Sequence, residues 1–526
     1  MPDEAERRQA FTRLQPICSS LLQDRTSAST VLQHLNALKV TLEDVSDKGL
    51  RGCSEYVLFP LLLLVDSVAA SRLPEGALSV PAARTDRVAE GALICCRILL
   101  SRCPVQPPEL VHKLIQRLAP AAGIPREAAS EEVRHAAQQC LEALFKGLGS
   151  SHPDMRAFWS SEAGVQDLAY VTQLLLEAAD AEARAGHTGS KAVRTTAVAT
   201  VCLVLEAVRD PAPLSYLLPG LVGGLSKALL AGAAKMTQER AAHSGAAASS
   251  AALAQAIRGM SLLLCATLAD SSTPPGSAAA QGRRRDPAPA ASSAEALCAL
   301  EALAVSSMAS AEEEAAAAEP ALPAAASLSV SGQEKYLVRR DTAWVDSTLQ
   351  RLVPLLQRVL PPLCSHPQHS VREALAKGVC EVMSHCAVTL APASEMLLGI
   401  VLALAADEWP QVAEPCRAFL GGGWAGSTDA DGPSQRHLLA GLISKLILGL
   451  ADAAKGNQDA LILHARRLST ALQVPTASLT GPSSSLAKDL SIADIPAFPC
   501  LNQPRMGLLS AIRTLGASAA VLTGMP

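Results

Sequence analysis

The 526-residue chain is 49% hydrophobic yet only 3% aromatic, and its apolar weight falls on Leu, Ala and Val, which suits helix-on-helix packing over sheets. A formal net charge of -4 and a pI near 6.3 provide no general field for phosphate backbones, so nucleic acid is not an expected partner. The longest apolar runs, at 56–65 and 396–406, fall short of the ~18 residues a membrane span needs, and Glu4, Glu6, Arg7 and Arg8 leave no signal-peptide core, so a soluble chain with no membrane span is expected.

In chain order, residues 1–70 read as helices. Their apolar faces are Phe11, Leu14, Ile17, Leu21 and Leu22, then Val31, Leu35, Leu38 and Leu42, then the dense 56–65 run around Pro60. Pro74 and Pro81 punctuate a linker. From Val88 the residues Val88, Gly91, Ala92, Cys95, Cys96, Leu99, Leu100 and Cys103 fall at offsets 0, 3, 4, 7, 8, 11, 12 and 15, which is one face of a helix. After Pro104, Pro107 and Pro108 comes a helix around 110–118, and the same offsets recur from Val133 through Cys140, Leu144 and Leu148. A loop at 149–153 leads to Trp159, Leu168 and Val171, and the offsets return from Val193 through Thr200, Val204 and Val208. Helical spacing continues over 214–230 and 251–268.

Residues 271–332 shift to Ala, Pro, Ser and Gly, with Arg283-Arg284-Arg285 and Glu312-Glu313-Glu314 as charge runs, and read as a disordered insert. Beyond it, Val345, Leu349, Leu352, Val353, Leu356, Val359 and Leu360 share a helix face, with Pro354 expected to kink that helix and Pro361 and Pro362 to end it. After the turn at 365–369, Ser370 and Glu373 have capping-box spacing, and the Val371 helix repeats the offsets through Gly378, Val382 and Cys386, leaving Arg372, Glu373, Lys377 and Glu381 off the buried face. Arg134, Arg194 and Arg372 each follow the valine that starts a unit, and Val412 starts another. Val88 and Val133 are 45 positions apart and Val371 and Val412 are 41 apart, near the ~40–47 of a HEAT or armadillo unit. The 60 positions between Val133 and Val193 imply a longer connection. An antiparallel helix pair cannot bury both faces alone, so the expected fold is an all-α, HEAT/armadillo-like α-solenoid of stacked pairs. Its expected organisation is repeats over 1–270, the insert over 271–332, and a second, truncated block of repeats over 333–526. At the far end Leu508, Leu509, Ile512, Leu515 and Ala519 still mark an apolar face with no polar cap, as in a fragment whose last helices meet further repeats.

Chemistry is sparse. In the Gly421–Thr428 segment Ser427 stands where a phosphate loop needs its lysine, and neither Gly-x-Ser-x-Gly nor His-Glu-x-x-His occurs. His366 and His369 beside Cys364 lie in a proline-containing turn with no carboxylate at ligand spacing and read as solvated. Catalytic, cofactor-binding and metal residues are therefore each expected to be none. Fourteen cysteines without Cys-x-x-Cys read as small buried hydrophobes in a reducing compartment, and Asn36, Asn457 and Asn502 begin no glycosylation acceptor.

Two stretches carry a family resemblance. One is Glu55-Tyr56-Val57-Leu58-Phe59-Pro60-Leu61, and the other runs from Arg339-Arg340-Asp341-Thr342-Ala343-Trp344-Val345 through Cys364-Ser365-His366-Pro367 and Val371-Arg372 to Asp407-Glu408 and Phe419. The chain resembles the N-terminal half of the first Tel-two-interacting protein family, the long HEAT-repeat subunit of the Triple-T cochaperone complex. The alanine- and proline-rich insert and Pro415 depart from that pattern. The resemblance implies a non-enzymatic scaffold with no cofactor. Its implied partners are the Tel-two protein, the second Tel-two-interacting protein, phosphatidylinositol-3-kinase-related kinases including the target of rapamycin, and the heat-shock chaperone machinery. The implied location is the cytoplasm, with the nucleus as a second site. A general HEAT adaptor, such as a nuclear transport receptor or phosphatase scaffold, is the alternative.

Overall fold

A computed structural model describes residues 2–23, 27–72, 85–105, 107–148, 153–237, 249–272, 338, 340–421 and some positions between 441 and 471. Among these residues the regular structure is helical, with no strand. In chain order the helices are α1 (Pro2–Gln23), α2 (Ala28–Asp44), the short α3 (Asp47–Arg51), α4 (Ser54–Arg72), α5 (Asp86–Arg102), α6 (Pro108–Ala122), α7 (Glu131–Gly147) and α8 (Pro153–Trp159). They continue as α9 (Glu162–Arg184), α10 (Lys191–Val208), α11 (Pro211–Thr237), α12 (Ser250–Leu268), α13 (Thr342–Val359), α14 (His369–His385), α15 (Ser394–Ala405) and α16 (Pro410–Gly421).

Many of these helices begin where the sequence offers a short polar side chain. Ser27, Ser46, Ser161, Ser190, Ser249 and Asp341 each accept the amide of the third residue on, satisfying one of the donors a helix start leaves open. The capping box expected at Ser370 does not form. Helix α14 starts at His369 with Gln368 as its cap, so Ser370 is already inside the first turn, and Glu373 pairs with Lys377 instead. Helix α13 runs on through Pro354, and Pro361 and Pro362 open a 3-10 turn, Pro361–Ser365, directly after it.

The helices stack in two rows. One row is α2, α5, α7, α10, α12, α14 and α16, each packed on the next; the other passes through α4, α6, α9, α11 and α13. The recurrent offsets are the buried face of the first row: Val133, Ala137, Cys140, Leu141, Leu144 and Phe145 on α7, Val193, Ala197, Val201, Val204 and Leu205 on α10, Val371, Leu375, Val379 and Val382 on α14. Each such Leu or Val contributes about 1.5–3 kcal/mol on burial, so a unit is held mainly by its neighbours. The long interval before Val193 is occupied by an added helix rather than by loop alone. Trp159, at the end of α8, is buried against Phe145 and Phe158 at ring separations of 6.2 and 4.8 Å, and α9 is 23 residues long. The α8–α9 turn admits only glycine at 164, where a Cβ would lie 2.0 Å from the Phe158 carbonyl oxygen.

The blocks on either side of the insert pack directly on each other. Helix α12 lies along α14, close enough that a Cβ at Gly378 would come within 3.2 Å of the Ser261 hydroxyl. Asp270, in a 3-10 turn at 270–272, accepts the Val388 amide at 3.0 Å and the Thr389 amide and hydroxyl at 2.8 Å each. The expected insert boundary at 271 thus falls inside an ordered turn, and most of the expected insert lies outside the described residues. Helix α12 is long and apolar enough to cross a membrane by length and composition, which the apolar runs at 56–65 and 396–406 did not reveal. Its buried face against α10, α11 and α14 is that of a core helix. Beyond α16, Leu442, Ile443 and Leu446 are buried and Lys445 pairs with Glu395 of α15 at 2.7 Å. The apolar face around Leu508 lies outside the described residues.

Candidate functional site

Several of the charged groups that the fold buries lie at the joints between units. Arg372, expected off the buried face, is 7% exposed. Its Nε and Nη2 donate to the two carboxylate oxygens of Asp407 at 2.8 and 3.1 Å, and its Nη1 donates to the carbonyls of His366 and Pro367. The helical wheel misplaced it because the turn of the following unit, carrying Asp407, closes over the edge of α14. Arg134 on α7 donates through Nη1 to one oxygen of Glu182 near the end of α9, whose other oxygen accepts the Ser190 amide at 2.6 Å. Arg194, fully buried on α10, donates to the Ala228 carbonyl of α11 at 2.9 Å, and burial holds its guanidinium below the usual arginine range. Each arginine reaches from the start of a first-row helix to the second-row helix of the next unit or the turn that follows it. The bidentate Arg372–Asp407 pair fixes direction as well as distance at its joint.

Along the second row, fully buried Asp167 on α9 bonds His112 Nδ1 and Gln116 Nε2 of α6 at 2.7 and 2.6 Å. Across the open face of the first row, Arg97 donates to Gln139 and His135 bonds Thr196 at 3.0 Å. Phe59 and Trp409 are 59% and 44% exposed, and Trp409 stacks on His369 with ring centroids 4.5 Å apart. Large exposed aromatics on rigid elements are the anchors recognition surfaces use.

The sequence-flagged histidines are not the solvated pair they read as. His366 is buried, its Nδ1 accepts the Gln368 amide at 3.1 Å, and burial lowers its pKa. His369 lies under Trp409. Cys364 is buried, with burial pushing its thiol up to about 11. Among the described residues no group of three or more His, Cys, Asp or Glu is placed to hold a metal. The described cysteines are free and, apart from half-buried Cys265, buried. Most of the Gly421–Thr428 segment and Arg283–Arg285 lie outside the described residues. Arg134, Arg194 and Arg372 were visible as a recurring Val-Arg pair; their acceptors were not, because they sit in the next unit.

A stack of helices whose units are joined by buried arginines defines an α-solenoid. The chain belongs to the family described as the TTI1 N-terminal TPR domain, whose model matches residues 11–408. The 41- and 45-residue spacing here is nearer HEAT length than the ~34 residues of a TPR unit. The chain is 22% identical over 424 residues to the TELO2-interacting protein 1 homolog of Mus musculus, covering 78% of this chain and 32% of the mouse protein. The Homo sapiens protein of that name gives the same identity and shares over 419 residues. The chain therefore spans about a third of the length of the curated relatives it matches. Among solved structures, a Kap121p mutant covers 98% of this chain at 11% identity with a TM-score of 0.18, and Kap121p bound to the C-terminus of the phosphatase Cdc14p gives 12% and 0.19. These solved structures span 59% and 60% of their own length in the match, and at such TM-scores the likeness carries no argument.

Proposed function

We propose that this chain is the N-terminal arm of a non-catalytic scaffold subunit in a Triple-T-type cochaperone complex. In this reading it works with the Tel-two protein, the second Tel-two-interacting protein and the heat-shock chaperone machinery to support maturation and stability of phosphatidylinositol-3-kinase-related kinases, the target of rapamycin among them. It does so in the cytoplasm and nucleus. The observation that carries the reading is the family match over residues 11–408, which covers the stack from α1 to the Arg372–Asp407 joint. Its curated relatives are named for interaction with TELO2, which supports Tel-two as a direct partner. A solenoid of this form supplies extended surface rather than a reaction centre, in keeping with a scaffold. The test is affinity purification of the full chain from cells, read by mass spectrometry. Tel-two, the second interacting protein and at least one such kinase are expected together; recovery of transport cargo or a phosphatase catalytic subunit in their place overturns the reading.

A further inference from the structure

Helix α14 turns a cysteine toward each of its first-row neighbours, and in both places a second cysteine faces it. Toward α12, Cys386 at the C-cap of α14 is fully buried. Its Sγ is 3.7 Å from the Leu264 carbonyl oxygen, and its thiol also hydrogen-bonds the sulfur of the next residue, Cys265. Toward α16, the sulfurs of Cys380 and Cys416 are 3.9 Å apart. Elsewhere along the row Cys95, Cys140 and Cys202 make the same reach and end on a main-chain carbonyl of the neighbouring helix. The two dithiols at α14 differ in access. Cys380 and Cys416 are 9% and 0% exposed, whereas Cys265 is, among the described cysteines, the one that is not buried. The hydrogen bond to Cys265, and burial after it, push the Cys386 thiol well above its usual range, so Cys386 keeps its proton and Cys265 is the sulfur a reagent meets first. The two helices approach closely along this contact, since a Cβ at Gly378 would lie 3.3 Å from the Cβ of Ser261, one turn before Cys265. Bonding two sulfurs already in hydrogen-bond contact requires them to close to about 2.05 Å, a change within reach of the two side chains.

We propose that Cys265 and Cys386 form a reversible disulfide site, closed by a low-molecular-weight disulfide such as oxidised glutathione, and that its closure ties α12 to α14 covalently across residues 273–337. The exchange runs in two steps. The Cys265 thiolate attacks one sulfur of the oxidant, whose S–S bond breaks; one glutathione thiolate leaves and takes up the proton that Cys265 gave to water. Cys386 then loses its proton and attacks the Cys265 sulfur; the mixed disulfide breaks, and the second glutathione thiolate takes up that proton. Two protein thiols are oxidised and one glutathione disulfide is reduced to two thiols. Excess reduced glutathione reverses both steps. The site goes beyond the scaffold reading and does not depend on which partner that reading names.

The test uses the full chain with one recognition sequence for a site-specific protease inserted after Arg285, inside the interval. The reduced protein is incubated with oxidised glutathione and cut, and its remaining thiols are then alkylated. On a denaturing gel without reductant, at least half of the cut chain is expected to run at full length and to part into two fragments when reductant is added. Peptide mass spectrometry is expected to show Cys265 joined to Cys386. Cys265→Ser and Cys386→Ala are each expected to reduce the full-length band at least tenfold. Two fragments without reductant, with Cys265 reduced or carrying only glutathione, overturn the proposal, and so does a bridge between other cysteines in place of Cys265–Cys386. Should Cys386→Ala fail to fold, the peptide map of the parent decides alone.

Discussion

At Arg372 a side chain on the rim of an amphipathic face becomes part of the core because the next unit lays Asp407 over it. Removing one partner of a buried pair leaves the other charged and desolvated, so Arg372→Ala is expected to destabilise the protein by about 3–5 kcal/mol. Arg13→Ala, which breaks an exposed pair with Asp44, is expected to leave the melting temperature nearly unchanged. Equal melting curves for the two variants would refute the clamp. His366 beside it gives a pH signature. Its folded pKa lies below the ordinary imidazole value near 6.5, chiefly from burial, so the unfolded chain takes up the proton first. Its contribution to stability is therefore present above about pH 6.5 and lost as pH falls below it. His366→Asn, whose side-chain oxygen can still accept the Gln368 amide, is expected to melt with a shallower loss between pH 7 and pH 5 than the parent. The comparison must be made by difference, since burial lowers the pKa of His135 as well. Parallel pH slopes for parent and variant would remove His366 from the account.

Helices, unlike their joints, were legible before any coordinates, because a first-row helix buries one face and that face repeats at fixed offsets: Val133 to Leu148 on α7 and Val371 to Cys386 on α14 are buried nearly position for position. What failed depended on a neighbour or on a two-residue shift of register. The Ser370 capping box was lost because the α14 cap, Gln368, falls two residues earlier, and α8 was missed because its short apolar signal, ending at Trp159, matters only through Phe145 of the preceding unit. The joints use Glu182, Asp407 and a main-chain carbonyl at Ala228, and no local pattern links such acceptors to arginines 34 to 48 residues earlier. Leu375, fully buried at the centre of α14, tests the element itself. Leu375→Asp places an unpaired carboxylate among α12 and α13 side chains and is expected to cost several kcal/mol, on the order of the ~2–5 of large core lesions, with loss of helicity confined to the last units. An unaltered melting temperature would contradict the packing of α14.

For the molecule as a whole, the decisive joint is the one that closes across residues 273–337. The chain leaves α12 through the Asp270 turn and returns at Arg340, which reaches back to the Thr267 carbonyl, so both ends of the interval lie at the same end of α12. From there α14 packs along α12, with Cys386 Sγ at 3.7 Å from the Leu264 carbonyl and Asp270 holding the start of the turn at 388–389. These contacts belong to described residues on the two sides, so stacking across the joint is expected to need the connection only as a tether. Replacing residues 273–337 with a short Gly/Ser linker is then expected to preserve the thermal transition and the recovery of Tel-two in a pull-down, because closing a shorter loop changes the entropy by only about 0.6 kcal/mol per halving of its length. Asp270→Ala in the otherwise unchanged chain removes the acceptor of three hydrogen bonds and leaves the Thr389 amide and hydroxyl, on a residue 3% exposed, without that partner. It is expected to lower the melting temperature more than the 65-residue replacement does. The opposite ranking, with the linker variant losing helicity or Tel-two while Asp270→Ala keeps both, would mean that the interval itself carries the joint and that the α12–α14 contact does not suffice.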